Sequence, residues 1–90
     1  MNIKSVSITL HGRVQGVGFR YFVNSLARDL GVKGFVRNQP NRTVYIEAQG
    51  PVDTLEVFIH HSTRGPSHAY VSRFELSSIP FQGFDRFEVK

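Results

Sequence analysis

The sequence of 90 residues contains no cysteine. That excludes a disulfide framework and any thiolate chemistry, and it fits a reducing compartment. Long apolar runs are missing as well. The opening "MNIKSVSITLHG" alternates apolar and polar residues, so it lacks the apolar block of about 7–15 residues that marks a signal peptide. No stretch approaches the ~20 apolar residues of a membrane span. A cytoplasmic protein that engages no membrane is the expectation. Acidic residues are fewer than basic ones, 7 against 11, for a formal net charge of +4. The basic residues are scattered from Lys4 to Lys90, which favours solvated surface charge over a nucleic-acid footprint. At this length one domain over residues 1–90, with a single modest core, is expected. There is no internal repeat, linker or low-complexity segment.

Periodicity divides the chain. In "SVSITLH" Val6, Ile8 and Leu10 alternate with polar residues, which predicts a half-buried strand. "RYFVNSLARDLG" places Phe22, Val23, Leu26, Ala27 and Leu30 at helical spacing, with Gly31 as the stop. "VKGFVRN" and "TVYIEAQG" read as two further strands. "PVDTLEVFIHHSTRG" reads as a second helix, opened by Pro51 and ended at Gly65-Pro66. "AYVSRFEL" reads as a fourth strand whose alternation slips, and a bulge near Ser72 would reconcile its two halves. "FDRFEV" supplies a short final strand. The order is β-α-β-β-α-β plus a C-terminal strand. Two helices with one apolar stripe each need one sheet face to cover. An α+β, ferredoxin-like sandwich follows, with both helices on one face of a mainly antiparallel sheet.

The stretch "GRVQGVGFR", Gly12 to Arg20, joins the first strand to the first helix and contains no acid. The first N–H groups of a helix have no internal partners, and the macrodipole leaves partial positive charge there. A loop that curls around this end adds inward-pointing N–H groups and makes an anion nest. Arg20 adds a planar, permanently charged fork suited to phosphate. The composition therefore argues for a phosphate cradle, although glycines serving turn geometry alone would look similar. It is not a Walker A loop, since no Gly-Lys-Ser/Thr follows, and its glycine spacing is not that of a dinucleotide fingerprint.

"GRVQGVGFR" resembles the first signature of the acylphosphatase family residue for residue. "GFVRN", Gly34 to Asn38, followed by Val44 and Gly50, resembles the second, and "GPSHAYV" and the terminal "FEV" fit the looser downstream pattern. The resemblance spans nearly the whole chain and implies the same ferredoxin-like fold. It implies metal-independent hydrolysis of the carboxyl–phosphate bond of acyl phosphates, without a cofactor. It gives Arg20 and the backbone N–H groups of Gln15, Gly16, Val17, Gly18, Phe19 and Arg20 the phosphoryl group. It gives Asn38 the attacking water, with the substrate's own phosphate taking up the proton. The expected partners are a small acyl phosphate as substrate and inorganic phosphate as product and inhibitor, with no nucleic acid and a monomeric protein.

The family usually has glycine where this chain has Arg42, in "NQPNRTV", which leaves the geometry of the Asn41-Arg42 turn open. The His60-His61 pair and His68 invite a metal reading, but adjacent helical residues do not face one another and no carboxylate has ligand spacing. His11 reads as a polar residue at the end of a strand, and Phe35 and Tyr45 as sheet surface and core. The alternative function is a non-catalytic ferredoxin-like binding domain. An RNA-binding version would carry an aromatic-rich third strand, whereas "TVYIEAQG" has one aromatic residue and an acid. An accessory module of a larger maturation protein would be fused to further domains, of which the sequence has none.

Overall fold

The computed structural model describes residues 2–90. Seven elements follow in chain order: β1 (Ile3–Arg13), α1 (Phe19–Leu30), β2 (Lys33–Asn38), β3 (Val44–Pro51), α2 (Val52–Arg64), β4 (Tyr70–Ile79) and β5 (Phe87–Val89). They form a five-stranded sheet in the order β4-β1-β3-β2-β5. The β1–β3, β1–β4 and β2–β3 pairs are antiparallel and β2–β5 is parallel. This is the expected βαββαβ sandwich with an added strand. Pro51 closes β3 and caps α2 instead of being its first helical residue. Strand β4 runs on to Ile79, past the sequence expectation, because the exposed Ser77 and Ser78 carry no apolar alternation to betray a strand.

The period-two pattern of β1 sorts the sheet into two faces. Val6, Ile8 and Leu10 pair across with Ala48, Ile46 and Val44, and all six are buried beneath the helices. Helix α1 lays Phe19, Val23 and Ala27 on this face, and α2 adds Leu55 and Phe58. Phe58 meets Phe87 of β5 with ring centroids 6.1 Å apart. The slip in β4 is real. His11 pairs with Arg73 but Gly12 pairs with Val71, so Ser72 is the extra residue of a bulge. The bulge returns Val71 to the helix-side face, where it packs on the core. The two backbones come so close here that a Cβ on Gly12 would lie 2.2 Å from the Tyr70 carbonyl oxygen.

The other face is partly closed by the segment after β4, which crosses beneath the sheet to reach β5 on the opposite edge. Gln49 anchors it. Its Oε1 accepts from Ser5 Oγ at 2.9 Å and from the backbone N–H groups of Gln82 at 3.1 Å and Gly83 at 3.3 Å. Phe84 then packs edge-on against Phe35 at 6.0 Å. The consequence for the site is at the far end of this crossing. Strand β5 runs beside β2, and Lys90 N–H donates to the Val36 carbonyl at 2.8 Å. The last residue of the chain as given is thereby brought beside the start of α1.

Candidate active site

A small cleft of about 110 Å³ opens where β1 gives way to α1. Val14, Gly16, Gly18, Phe19, Arg20, Tyr21 and Asn38 line it. The β1–α1 loop forms one wall. Val14 is buried and anchors the loop to the core. Gly16 and Gly18 turn it with φ of 73° and 77°, in the left-handed region that glycine enters without steric cost. A Cβ on either would meet nothing within 4 Å, so their backbone faces open space that a ligand can enter.

Gly18 is also the N-cap of α1, and the helix has neither a side-chain cap bond nor an acidic residue in its first turn. The first intrahelical bond is Phe22 N–H to the Gly18 carbonyl at 3.0 Å. The N–H groups ahead of it at Phe19, Arg20 and Tyr21 are the helix's unpartnered donors. Most helices satisfy such donors with a Ser, Thr, Asp or Asn cap. Here the sequence supplies glycine instead, and the donors and the positive end of the dipole stay available to an anion.

The opposite wall comes from β2. Gly34, Val36 and Asn38 share the helix-side face by alternation, their partners being Ala48, Ile46 and Val44. Asn38, the last residue of β2, therefore points to the same side as the start of α1, and it is exposed at the cleft. Arg20 and Asn38, 18 positions apart in sequence, line one cavity. The Arg20 guanidinium is held from behind, since its Nη1 donates to the Lys90 backbone oxygen at 3.1 Å. Nothing local in the sequence signals that contact, which spans 70 positions.

The six residues expected to form a phosphate cradle, Gln15 to Arg20, do form the loop and first turn at this cleft. Gly16, Gly18, Phe19 and Arg20 line it directly, while Val17 packs on the core. Gln15 does something the sequence did not suggest. Its side-chain amide turns away to the β2–β3 hairpin and donates to the carbonyl oxygens of Gln39 and Thr43, both at 2.9 Å. That hairpin is a turn closed by Arg42 N–H to the Gln39 carbonyl at 3.0 Å. Arg42 follows in the left-handed region at φ 71°, the one non-glycine residue there among those described.

The remaining candidates lie elsewhere. His11 bonds through Nε2 to Glu75 Oε1 at 2.9 Å, and this bond is the largest influence holding the Glu75 carboxyl below its ordinary range. Tyr45 is pushed above its usual range by burial first and then by its hydrogen bond to Glu47. Neither lines the cleft, and the cleft lining holds no carboxylate, imidazole or thiol. Phe35 and Tyr45 lie on the sheet face away from the helices. Phe35 is only 8 % exposed, covered by Phe84, the Arg37 guanidinium and the Lys90 ammonium. Among the described residues no group of three or more His, Asp or Glu is placed to hold a metal ion.

Comparison with known proteins bears on this cleft. The family model described as Acylphosphatase matches residues 6–89. A curated acylphosphatase of Thermotoga maritima is 38% identical over 88 residues, covering 98% of each chain. The crystal structure of acylphosphatase from Bacillus subtilis superposes with a TM-score of 0.93 at 32% identity, covering 99% of both chains. The chain is also similar to part of HypF from T. kodakarensis, with a TM-score of 0.81 and 38% identity. That match covers 96% of this chain but 12% of the larger protein.

Proposed function

The chain belongs to the acylphosphatase family and carries that family's hydrolase function, and we propose that it hydrolyses small acyl phosphates with the cleft between the β1–α1 loop and the end of β2. The reading as a non-catalytic binding domain is not favoured. The observation that carries the proposal is the juxtaposition of an uncapped, acid-free helix N-terminus with Arg20 and Asn38 around one small cavity.

The phosphoryl oxygens rest on the backbone N–H groups from Gln15 to Arg20, and the Arg20 guanidinium pairs with two of them in a planar fork. Holding Arg20 through Lys90 limits its rotamers and so pre-orients it. The Asn38 side-chain oxygen accepts from a water and aims it at phosphorus, opposite the acyl oxygen. The water oxygen bonds to phosphorus while the bond from phosphorus to the acyl oxygen breaks. Its electron pair leaves with the carboxylate, and the water's proton passes to a phosphoryl oxygen. A carboxylate is a weak base and leaves without a general acid, so alignment and charge stabilisation supply the catalysis. The cleft lining fits that division, having donors for the phosphate and no titratable side chain near neutrality. The acyl group projects past Tyr21, which is 72 % exposed, and such an open mouth tolerates varied acyl groups. Acting in this way the protein is a single cytoplasmic domain, monomeric, cofactor-free and inhibited by its phosphate product.

The test is hydrolysis of benzoyl phosphate by the purified protein in the presence of a chelator, with inorganic phosphate as competitive inhibitor. We expect turnover to persist, without the bell-shaped pH profile of a paired acid and base. Activity that disappears with chelator and returns with a divalent cation would contradict this mechanism.

A further inference from the structure

Two loops meet at the cleft, and one side chain ties them. The β1–α1 loop bears the N–H donors, while the hairpin loop from Gln39 to Thr43 follows directly on Asn38. Gln15 bridges them across 24 and 28 sequence positions, its one Nε2 donating to Gln39 O and to Thr43 O. Both acceptors already serve the hairpin. The Gln39 carbonyl takes the Arg42 N–H at 3.0 Å, and the Thr43 carbonyl takes the Gln39 N–H at 2.9 Å. Each carbonyl has two lone pairs, and Gln15 fills the second on both. The hairpin loop is otherwise closed within itself, through Gln39 Nε2 to Thr43 Oγ1 at 2.9 Å and Thr43 Oγ1 to Asn41 Oδ1 at 2.6 Å. A primary amide suits this bridge because its NH₂ offers two hydrogens from one atom. Glutamate has the size but no donor, and methionine has the length but no polarity.

We infer that the Gln15 side chain is a positioning residue for the reaction, locking the loop that holds the phosphoryl group to the hairpin that holds the water-aiming Asn38. Its backbone serves the cradle, and its side chain sets the distance between cradle and water. Without it each loop keeps its own internal bonds, but their mutual placement is no longer set by a hydrogen-bonded link. A displacement of about 1 Å between nucleophile and electrophile costs on the order of 100-fold in rate. This inference rests on the roles proposed above for the cradle and for Asn38.

The test is a double-mutant cycle with Gln15→Met and Asn38→Ala, assayed on benzoyl phosphate, with inorganic phosphate as the binding probe. Gln15→Met is expected to lower kcat by about tenfold or more while changing the inhibition constant of phosphate by less than about threefold, since the cradle is backbone. In the Asn38→Ala background the same substitution is expected to cost little, because the water it helps to place is no longer held. Gln15→Glu should behave as Gln15→Met, or worse, as its carboxylate faces two carbonyl oxygens. Thermal unfolding of each variant separates a loss of fold from a loss of placement. Turnover unchanged in Gln15→Met, or losses that simply multiply in the double variant, would overturn the inference. Wild-type protein that neither hydrolyses benzoyl phosphate nor binds phosphate, or an Asn38→Ala variant with full turnover, would instead sink the reading on which it rests.

Discussion

The loop that lines the cleft and the hairpin loop that follows Asn38 need the same backbone conformation and obtain it differently. In the β1–α1 loop the left-handed positions are Gly16 and Gly18, at φ 73° and 77°. In the hairpin loop the left-handed position is Arg42, at φ 71°. Space does not explain the difference, since an added Cβ at Gly16 or Gly18 would touch nothing within 4 Å. The glycines match the proposed use of the loop: an anion held there would approach the backbone closely, and a side chain in that open space would stand in its way. In the proposed mechanism the hairpin loop offers no backbone to the phosphoryl group, and its carbonyls at Gln39 and Thr43 are taken by the Gln15 amide. A strained arginine there costs stability without blocking a ligand. On the proposed roles the first loop serves contact and the second position.

Removing the charge fork would test that division most severely. Arg20→Lys keeps a positive charge but not the paired geometry. We expect kcat/KM for benzoyl phosphate to fall on the order of 1,000-fold, and phosphate inhibition to weaken with it. Asn38→Ala acts on the other loop's function. Turnover should fall roughly 100-fold, the cost of losing alignment, while phosphate inhibition stays nearly as strong. If both variants lose phosphate affinity to the same degree, contact and position are not divided between the loops as described.

Much of this arrangement is legible in the sequence. The alternation of Val6, Ile8 and Leu10 identified the buried face of β1, and the stripe through Val23 and Ala27 identified that of α1. Even the slip between Val71 and Phe74 located the bulge at Ser72. These signals are periodic, and a period survives in sequence because every repeat must satisfy the same burial. The resemblance pointed to Arg20 and Asn38, and the sheet register explains why Asn38 reaches the helix side at all. What stayed hidden has no period. The Gln15 bridges, the Lys90 contact behind Arg20 and the anchoring of the Gln82–Gly83 segment on Gln49 join positions 24 to 70 apart through single polar atoms. A glutamine that makes two long-range bonds reads in sequence like any other glutamine.

Smaller effects follow from exchanging the residue at one left-handed position in each loop. Gly18→Ala puts a Cβ on a residue at φ 77° and ψ 19°. The left-handed region costs an L-residue about 1–2 kcal/mol, and alanine recovers part of this by restricting the unfolded chain. We expect a net destabilisation of about 1 kcal/mol, read as a lower unfolding midpoint, and weaker phosphate inhibition because the Cβ enters the space beside the cradle. A variant as stable as the wild type would mean that the loop relaxes out of its left-handed turn.

Arg42→Gly is the reverse exchange and has the smallest expected effect. The hairpin turn runs from Gln39 through Pro40 and Asn41 to Arg42, with Arg42 N–H bonded to the Gln39 carbonyl. Proline suits its second position, where φ near −65° is required. The residue after the two central ones then enters the left-handed region to rejoin the strand, as in three-residue hairpin loops that end in a glycine bulge. Asn41 could have tolerated that conformation through its short side chain, but it sits one place too early. Its Oδ1 instead accepts from Thr43 N–H at 3.3 Å and Thr43 Oγ1 at 2.6 Å. The left-handed position therefore falls on Arg42, which is exposed. Glycine there would relieve roughly 1 kcal/mol of steric cost. It would also free the unfolded chain, which takes back a few tenths. The balance is a stabilisation of roughly 0.5 kcal/mol, or about 2–4 °C in the unfolding midpoint of a domain this size. Turnover should stay within about twofold of wild type, because Arg42 lines neither wall of the cleft and the Gln15 bridges end on carbonyls that glycine leaves in place. An unchanged or lower midpoint would show that the arginine side chain stabilises the turn by as much as its backbone strains it.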